Sequence, residues 1–409
     1  MTTTKNIEHE KNQGRKVLNV PNLRFPEFQG EWEKKSLGEI GDSFIGLTYR
    51  PTDIVSEGGL IVFRSSNIQN GCMDYKDIVR VNKNVKEKLI TKKDDLLVCA
   101  RNGSARLIGK NAILHETDAN QTFGAFMMVF RSDKNHFVHQ LLNTRRYSSQ
   151  VSENLGARIN QITSSDLSSF EFFFPKENSE MNKISALLDL LDERIATQNK
   201  IIDKLQSLIK GINRNVFTDD GFNYMLKELC EIKSGYSGNQ LTSKNGLKVS
   251  RIETISGHKV NIERVGYVAP FASSENYKLQ IGDILFSNIN SVEYIGNTAF
   301  IEKDYGLYHG MNLLRLMPNK NIVIPLYLYL LLNTNKMQNH FKTICNKAVS
   351  QASVNQTELG KTAVKIPSIK AQKQICELYQ SLYNKLETEN NAISLLQKQK
   401  EYLLRQMFI

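Results

Sequence analysis

His136 and His139 stand three residues apart, a spacing compatible with one shared metal ion. No acidic or cysteine ligand completes a cluster around them, so they read as a solvated pair entering a helix, and no metal site is expected. Gly360-Lys361-Thr362 has the ending of a phosphate-cradling loop, but Asn355 stands where G-x-x-x-x-G-K-[ST] requires its first glycine. Asp220 with Glu231-Ile232-Lys233 imitates the carboxylate and lysine set of a metal-dependent nuclease. The corresponding Glu39-Ile40-Gly41 lacks the lysine, and Glu231 reads better as an exposed strand residue. An adenine methyltransferase holds its flipped base with a [DN]-P-P-[YFW] loop, and among the eight prolines here no two are adjacent. Cys72, Cys99, Cys230, Cys345 and Cys376 show no C-x-x-C spacing, so neither a zinc site nor a disulfide framework is indicated. The chain is expected to have no catalytic residues and no cofactor.

Charge points to binding instead. Fifty-three Lys and Arg against 42 Asp and Glu leave +11 and a pI near 9.2, which suits a polyanionic partner, because Lys and Arg neutralising phosphates supply most non-specific nucleic-acid affinity. Met1 to Lys16 is polar and charged, and the longest apolar run, Ile322 to Leu332, is too short to span a bilayer and contains Pro325. No membrane association and a cytoplasmic location are expected.

The elements that would position a binding surface occur twice. Leu141-Leu142-Asn143-Thr144 recurs as Leu331-Leu332-Asn333-Thr334, an offset of 190 (333 minus 143). Each copy ends in a heptad helix. Ile184, Leu188, Leu191, Ile195, Gln198, Ile202, Leu205, Ile209, Ile212 and Val216 alternate four and three apart and keep one apolar seam. Shifted by 191, the seam becomes Ile375, Tyr379, Leu382, Leu386, Glu389, Ile393, Leu396, Lys400, Leu403 and Met407, with Gln198 and Glu389 interrupting the two at the same place. The two helices are expected to pack on each other, with Gln198 and Glu389 fixing register at some cost in stability. Between them, Leu37-Gly38-Glu39-Ile40 matches Leu229-Cys230-Glu231-Ile232 as a first strand. Phe63 to Ile68 matches Ser250 to Ile255, and Asp95 to Val98 matches Asp283 to Phe286, as short β-rich runs flanked by turn residues. Ile108 to Ala112 matches Ile295 to Ala299, and Leu167 to Pro175 matches Leu359 to Pro367, the prolines releasing each chain toward its long helix.

Leu23-Arg24-Phe25-Pro26 through Trp32 and Leu37, then Gly282-Asp283-Ile284-Leu285-Phe286-Ser287, Asn312-Leu313-Leu314-Arg315 and both heptad helices resemble the specificity (S) subunit of type I restriction-modification enzymes over nearly the whole chain. The resemblance implies an α+β protein with two similar mixed α/β target recognition domains, separated by two long helices that form an antiparallel coiled coil with an internal pseudo-twofold repeat. The boundaries expected are a tail at 1–22, a first recognition domain at 23–177, a first helix at 178–217, a second domain at 218–368 and a second helix at 369–409. The partners implied are double-stranded DNA read as a bipartite target, two methyltransferase subunits docked on the chain, and restriction subunits recruited through them. The alternative is a non-catalytic two-domain scaffold for protein partners, against which the basic charge and diverged polar loops argue.

If two copies of one fold read different half-sites, positions shared between copies serve scaffold or phosphate, and diverged polar loops choose bases. Arg64 and Arg251 recur and read as phosphate contacts or structural ion pairs. The loop Ala100 to Arg106 has diverged into Asn288 to Tyr294 between matched strands. There Arg101 or Arg106 is a candidate to fork to guanine O6 and N7, and Asn102, Asn288 or Asn290 to adenine N6 and N7. Ser104, Ser291, Tyr294, Asn67, Gln69 and His309 complete the candidate DNA-binding set, Gln69 and His309 being weaker candidates on exposed-looking segments together with Asn70, Gln121, Gln240 and Asn312. Ordinary polar turn residues are the competing reading for each.

Overall fold

The computed structural model describes residues 18–157, 160–215, 217, 221–347 and 351–409. Val216 and Asp220, both singled out above, and the tail to residue 17 lie outside the described residues. The chain divides into two compact units, one of residues 1–200 with 390–409 and the other of residues 201–389. It crosses between them only inside the two long helices, Asn178–Asn215 and Ile369–Met407.

In the first unit, Asp42–Ile45, Met127–Arg131, Leu96–Cys99 and Asn111–Ile113 form a four-stranded antiparallel sheet in that order. Leu96–Cys99 is buried throughout, and its alternation divides two cores. Leu96 and Val98 join Trp32, Phe137 and Phe174, while Leu97 and Cys99 face Phe63 and Phe123. A smaller sheet pairs Leu60–Phe63 in parallel with Thr122–Phe123 and antiparallel with Val79–Val81, which also pairs with Ile54–Val55. Glu33–Ser36 pairs antiparallel with Glu171–Phe174, after which Pro175 ends the strand.

The second unit repeats this plan. Cys230–Ser234, Leu314–Pro318, Ile284–Phe286 and Thr298–Phe300 form its sheet in the same order. Ile284 and Phe286 enter one core with Leu328 and Phe341, and Leu285 enters another with Ile255 and Leu307. Leu247–Val249 pairs in parallel with Leu307–Tyr308, and Phe222–Met225 with Ala363–Ile366 antiparallel. Gly109 and Gly296 hold matching turns at φ +80° and +84°, where a Cβ would press on Tyr147 and on Phe341 respectively.

A buried ion pair is duplicated as well. Arg131 meets Asp95 at 2.6 Å and Arg315 meets Asp283 at 2.6 Å, each across the central strand pair. Each aspartate also accepts a backbone N–H from three residues upstream, Lys92 or Gln280. Removing one partner of such a buried pair costs about 3–5 kcal/mol, which explains its presence in both copies of otherwise diverged sequence.

The repeat alignment needs one correction. Leu37–Glu39 is a single 3-10 turn rather than a strand, and its counterpart is the helical turn Leu226–Leu229, three residues earlier than expected. Burial sets the true register: Leu37 and Leu226 are both fully buried, and Glu39 and Glu228 cap the backbone N–H of Ser36 and Met225 in the same way. Likewise Ser65–Asn67 and Ile252–Ile255 are 3-10 turns that begin just after Arg64 and Arg251, not strand.

The heptad seams are packed within each unit. In the first, Ile184 and Leu188 are buried in the core that includes Leu403, Met407 and Phe408, and Asp192 pairs with Lys400. That order, with early residues of one helix against late residues of the other, is antiparallel. The lysine that breaks the second apolar seam is answered by an aspartate. In the second unit Ile209 and Ile212 cluster with Ile375, Tyr379 and Leu382. Gln198 is half-buried, and Glu389 is paired with Lys385 on its own helix. Arg24, from the N-terminal motif, forks to Glu180 at the start of the first long helix with bonds of 2.7 and 2.8 Å, joined by the Trp32 indole N–H at 3.3 Å. Among the described residues no helix is long and apolar enough to cross a membrane.

Candidate nucleic-acid interface

In each unit the loop that leaves the buried central strand is tied by antiparallel pairing to a later segment. Arg101 pairs with Gln161, and Ile289 with Ser353, so the two diverged segments occupy equivalent places in their own units. Arg101 is exposed, and its guanidinium lies 5.4 Å from the centre of the Phe126 ring, a cation–π arrangement. Phe126 is itself 59% exposed and accepts the backbone N–H of both Ala100 and Arg101. Arg106 is exposed at the end of the same loop. Lys110 reaches the Ser65 carbonyl at 3.5 Å, and partial burial lowers its pKa.

Asn102 is committed to bracing the loop. Its amide donates to Ser65 Oγ at 3.0 Å and its carbonyl accepts from the Ser104 backbone at 3.0 Å. Asn290 is committed within its own segment, donating to Ser287 Oγ at 3.1 Å and accepting from Ser291 N–H at 2.8 Å. Both asparagines therefore shape the loops that present their neighbours. Asn288 is half-buried, with its side-chain carbonyl shut away from solvent. Ser104 is half-buried, while Ser291 and Tyr294 stand out at the opposite end of their turn.

Arg64 and Arg251 each lie in an ion pair. Arg64 meets Asp77 at 2.8 Å, and Arg251 lies 3.6 Å from Glu253 on an exposed surface. Gln69 is exposed on a tight hairpin whose Asn70-Gly71 tip adopts φ +52° and +74°, the asparagine-glycine turn chemistry. Gln121 is spent on the Ile61 backbone N–H at 2.7 Å, and Asn312 holds φ +65°, a backbone role.

Two candidates are removed from the surface. Asn67 is fully buried, accepting from Arg64 N–H and donating to the carbonyls of Asp74 and Asp77, so it braces the turn. His309 is 1% exposed and its Nε2 donates to the Leu313 carbonyl at 3.0 Å. Burial pushes its pKa down to about 4, so the ring is neutral at pH 7 and works as a core hydrogen-bond donor.

The histidine pair is also different from the expectation. His139 is buried rather than solvated, and Asp189 and Asp192 come to it from the first long helix. His136 sits outside it and bonds Asp189 at 2.6 Å, which raises its pKa. His136 and Asp189 are 53 residues apart in the chain, so local spacing held no sign of the pairing.

Other surface features were missed because exposure has no periodic signature at a single residue. Phe126 is one. In the second unit Tyr236 stacks on Phe271 at 4.0 Å with Tyr277 edge-on at 5.6 Å. On the long helices Leu190 and Leu395 are each about two-thirds exposed, at 65% and 66%, away from the seams.

The family model for the type I restriction modification DNA specificity domain matches residues 29–207 and again 221–398. The type I restriction enzyme MjaX specificity subunit of Methanocaldococcus jannaschii is 43% identical over 187 residues, 45% of this chain, and that match spans only 44% of the relative's length. The EcoKI specificity subunit of Escherichia coli K12 is 24% identical over 89% of this chain and 85% of its own. Among solved structures, the type I restriction-modification S subunit from M. genitalium shares the fold with a TM-score of 0.61 at 18% identity, covering 95% of this chain and 99% of that one.

Proposed function

This chain belongs to the type I restriction-modification DNA specificity family, and on that premise we propose that it is the subunit that chooses the DNA sequence for a methyltransferase complex. Each unit reads one half of a bipartite double-stranded target, with the recognition domains at 23–177 and 218–368 and the helices at 178–217 and 369–409 as the spacer. The observation that carries the reading is the loop after the central strand. It occupies the same place in both units and is braced by an asparagine in each, yet it presents Arg101 and Arg106 in one and Ser291 and Tyr294 in the other. A shared frame with different displayed side chains is what two half-sites of different sequence require.

In the first unit Arg101, stacked on Phe126, is offered to a guanine edge or a phosphate, and Arg106 and Lys110 add positive charge beside it. In the second, Tyr294 and Ser291 supply hydroxyls and Arg251 a backbone contact. Two methyltransferase subunits dock on the off-seam faces of the helices, for which exposed Leu190, Leu208 and Leu395 offer apolar purchase among polar neighbours. Restriction subunits join through them, and the assembly acts in the cytoplasm. The chain has no chemistry of its own in this reading.

Methyl transfer tests it. Purified chain with S-adenosylmethionine and DNA is expected to incorporate no methyl groups, and to support incorporation once a methyltransferase partner is added. Transfer by the highly purified chain alone would overturn the reading.

A further inference from the structure

One nitrogen of His139 and one carboxylate oxygen each of Asp189 and Asp192 lie within 4.8 Å of one another, all inside the first unit. His139 is 5% exposed, and neither ring nitrogen has a hydrogen-bond partner. Leaving a buried polar group unsatisfied costs about 1–3 kcal/mol, yet this ring sits beside two carboxylates with a free lone pair. The carboxylates are oriented rather than loose. Gln140 donates to Asp189 at 2.8 Å and to Asp192 at 3.0 Å, and His136 holds the other oxygen of Asp189 at 2.6 Å while meeting Asp94 at 3.3 Å. Lys400 pairs with Asp192 from the second long helix.

We propose that His139, Asp189 and Asp192 bind one zinc-class divalent ion, clipping the helix Asn135–Leu141 of the recognition domain to the first long helix. One neutral imidazole and two carboxylates with room for water form an N/O set that suits Zn²⁺ or Co²⁺ better than Mg²⁺ or Ca²⁺, which favour oxygen alone. Neither His139 nitrogen is spent on a hydrogen bond, so the buried ring has a nitrogen to offer an ion. His136 and Gln140 are the outer partners that fix the carboxylates, a role metal sites regularly assign to such groups. The Lys400 ammonium competes with the ion for Asp192.

Cobalt(II) titration of the full-length, tag-free chain tests the site, with exposed Cys72 replaced by Ser in every protein so that thiolate bands do not intrude. Visible absorption and equilibrium dialysis are expected to show one Co²⁺ per chain, displaced by Zn²⁺. His139→Ala and Asp192→Asn should each weaken binding more than thirtyfold, and His136→Gln about tenfold. Lys400→Met should tighten it severalfold, which loss of a purely structural ion pair would not do. If His139→Ala fails to fold by circular dichroism, Asp192→Asn and Lys400→Met carry the decision. Stoichiometry below a tenth of an equivalent, or affinity unmoved by these substitutions, would overturn the proposal.

Discussion

Replacing residues 225 to 360 with the matching segment of another family member is expected to rewrite one half of the recognised DNA sequence and leave the other half unchanged. The second unit owns its cores, Ile284 and Phe286 with Leu328 on one side of its sheet and Leu285 with Leu307 on the other, and the first unit owns a separate pair. The exchange keeps the strand Ala363–Ile366 and nearly all of its partner Phe222–Met225, so the incoming residues at Leu226 and Leu359 must still pack on the retained Val364 and Ile366. Each mismatched base pair costs about 1–3 kcal/mol. A half-site of three replaced pairs should therefore lose on the order of a hundredfold to a millionfold in preference, while the retained half keeps its ranking of bases. Sequencing of methylated positions made by the hybrid complex reads this directly. Changes in both halves would mean that the units do not read independently.

A second large effect is expected from the helices. The chain passes between units only after Lys200 and after Glu389, in the middle of helices of 38 and 39 residues. Inserting seven residues at both points preserves the heptad phase. It adds roughly 10 Å at about 1.5 Å per residue, close to three base pairs of B-DNA at about 3.4 Å each. The preferred gap between half-sites should lengthen by about three base pairs. The same insertion turns one half-site about a quarter turn or more around the DNA, so activity should fall even where the new gap is chosen. Selection from random DNA by the lengthened protein with its methyltransferase partner measures it. An unchanged gap in a folded, active complex would show that the helices do not set the distance.

The parts of the fold that were legible in the sequence are those whose cause is periodic or local. Seam positions such as Ile184, Leu188 and Tyr379 are buried as the heptads require, because one stripe every three and a half residues has only one way to leave water. The paired prolines ended their strands for the same kind of reason. The first repeat match, at Leu37, was three residues out because a buried leucine in a 3-10 turn and one at a strand start look alike without the cap that follows. Site residues were harder. Asn67, Asn102 and Asn290 are polar residues in loops, and the sequence does not distinguish an amide that braces its own backbone from one that faces a partner. His309 sits in a strand-end segment of polar character, yet its ring reaches inward to Leu313. The Asp189 and Asp192 carboxylates near His139 follow from the packing of one helix on another, which no local window contains.

The central claim is a bipartite target read one half per unit. Base-resolution sequencing of DNA methylated by the native chain with its methyltransferase partner tests it most directly. The account predicts two short half-sites of different sequence with centres about ten or eleven base pairs apart, near the roughly 34–36 Å of one B-DNA turn, separated by bases of no preference. A single uninterrupted motif, or methylation without sequence preference, would contradict it.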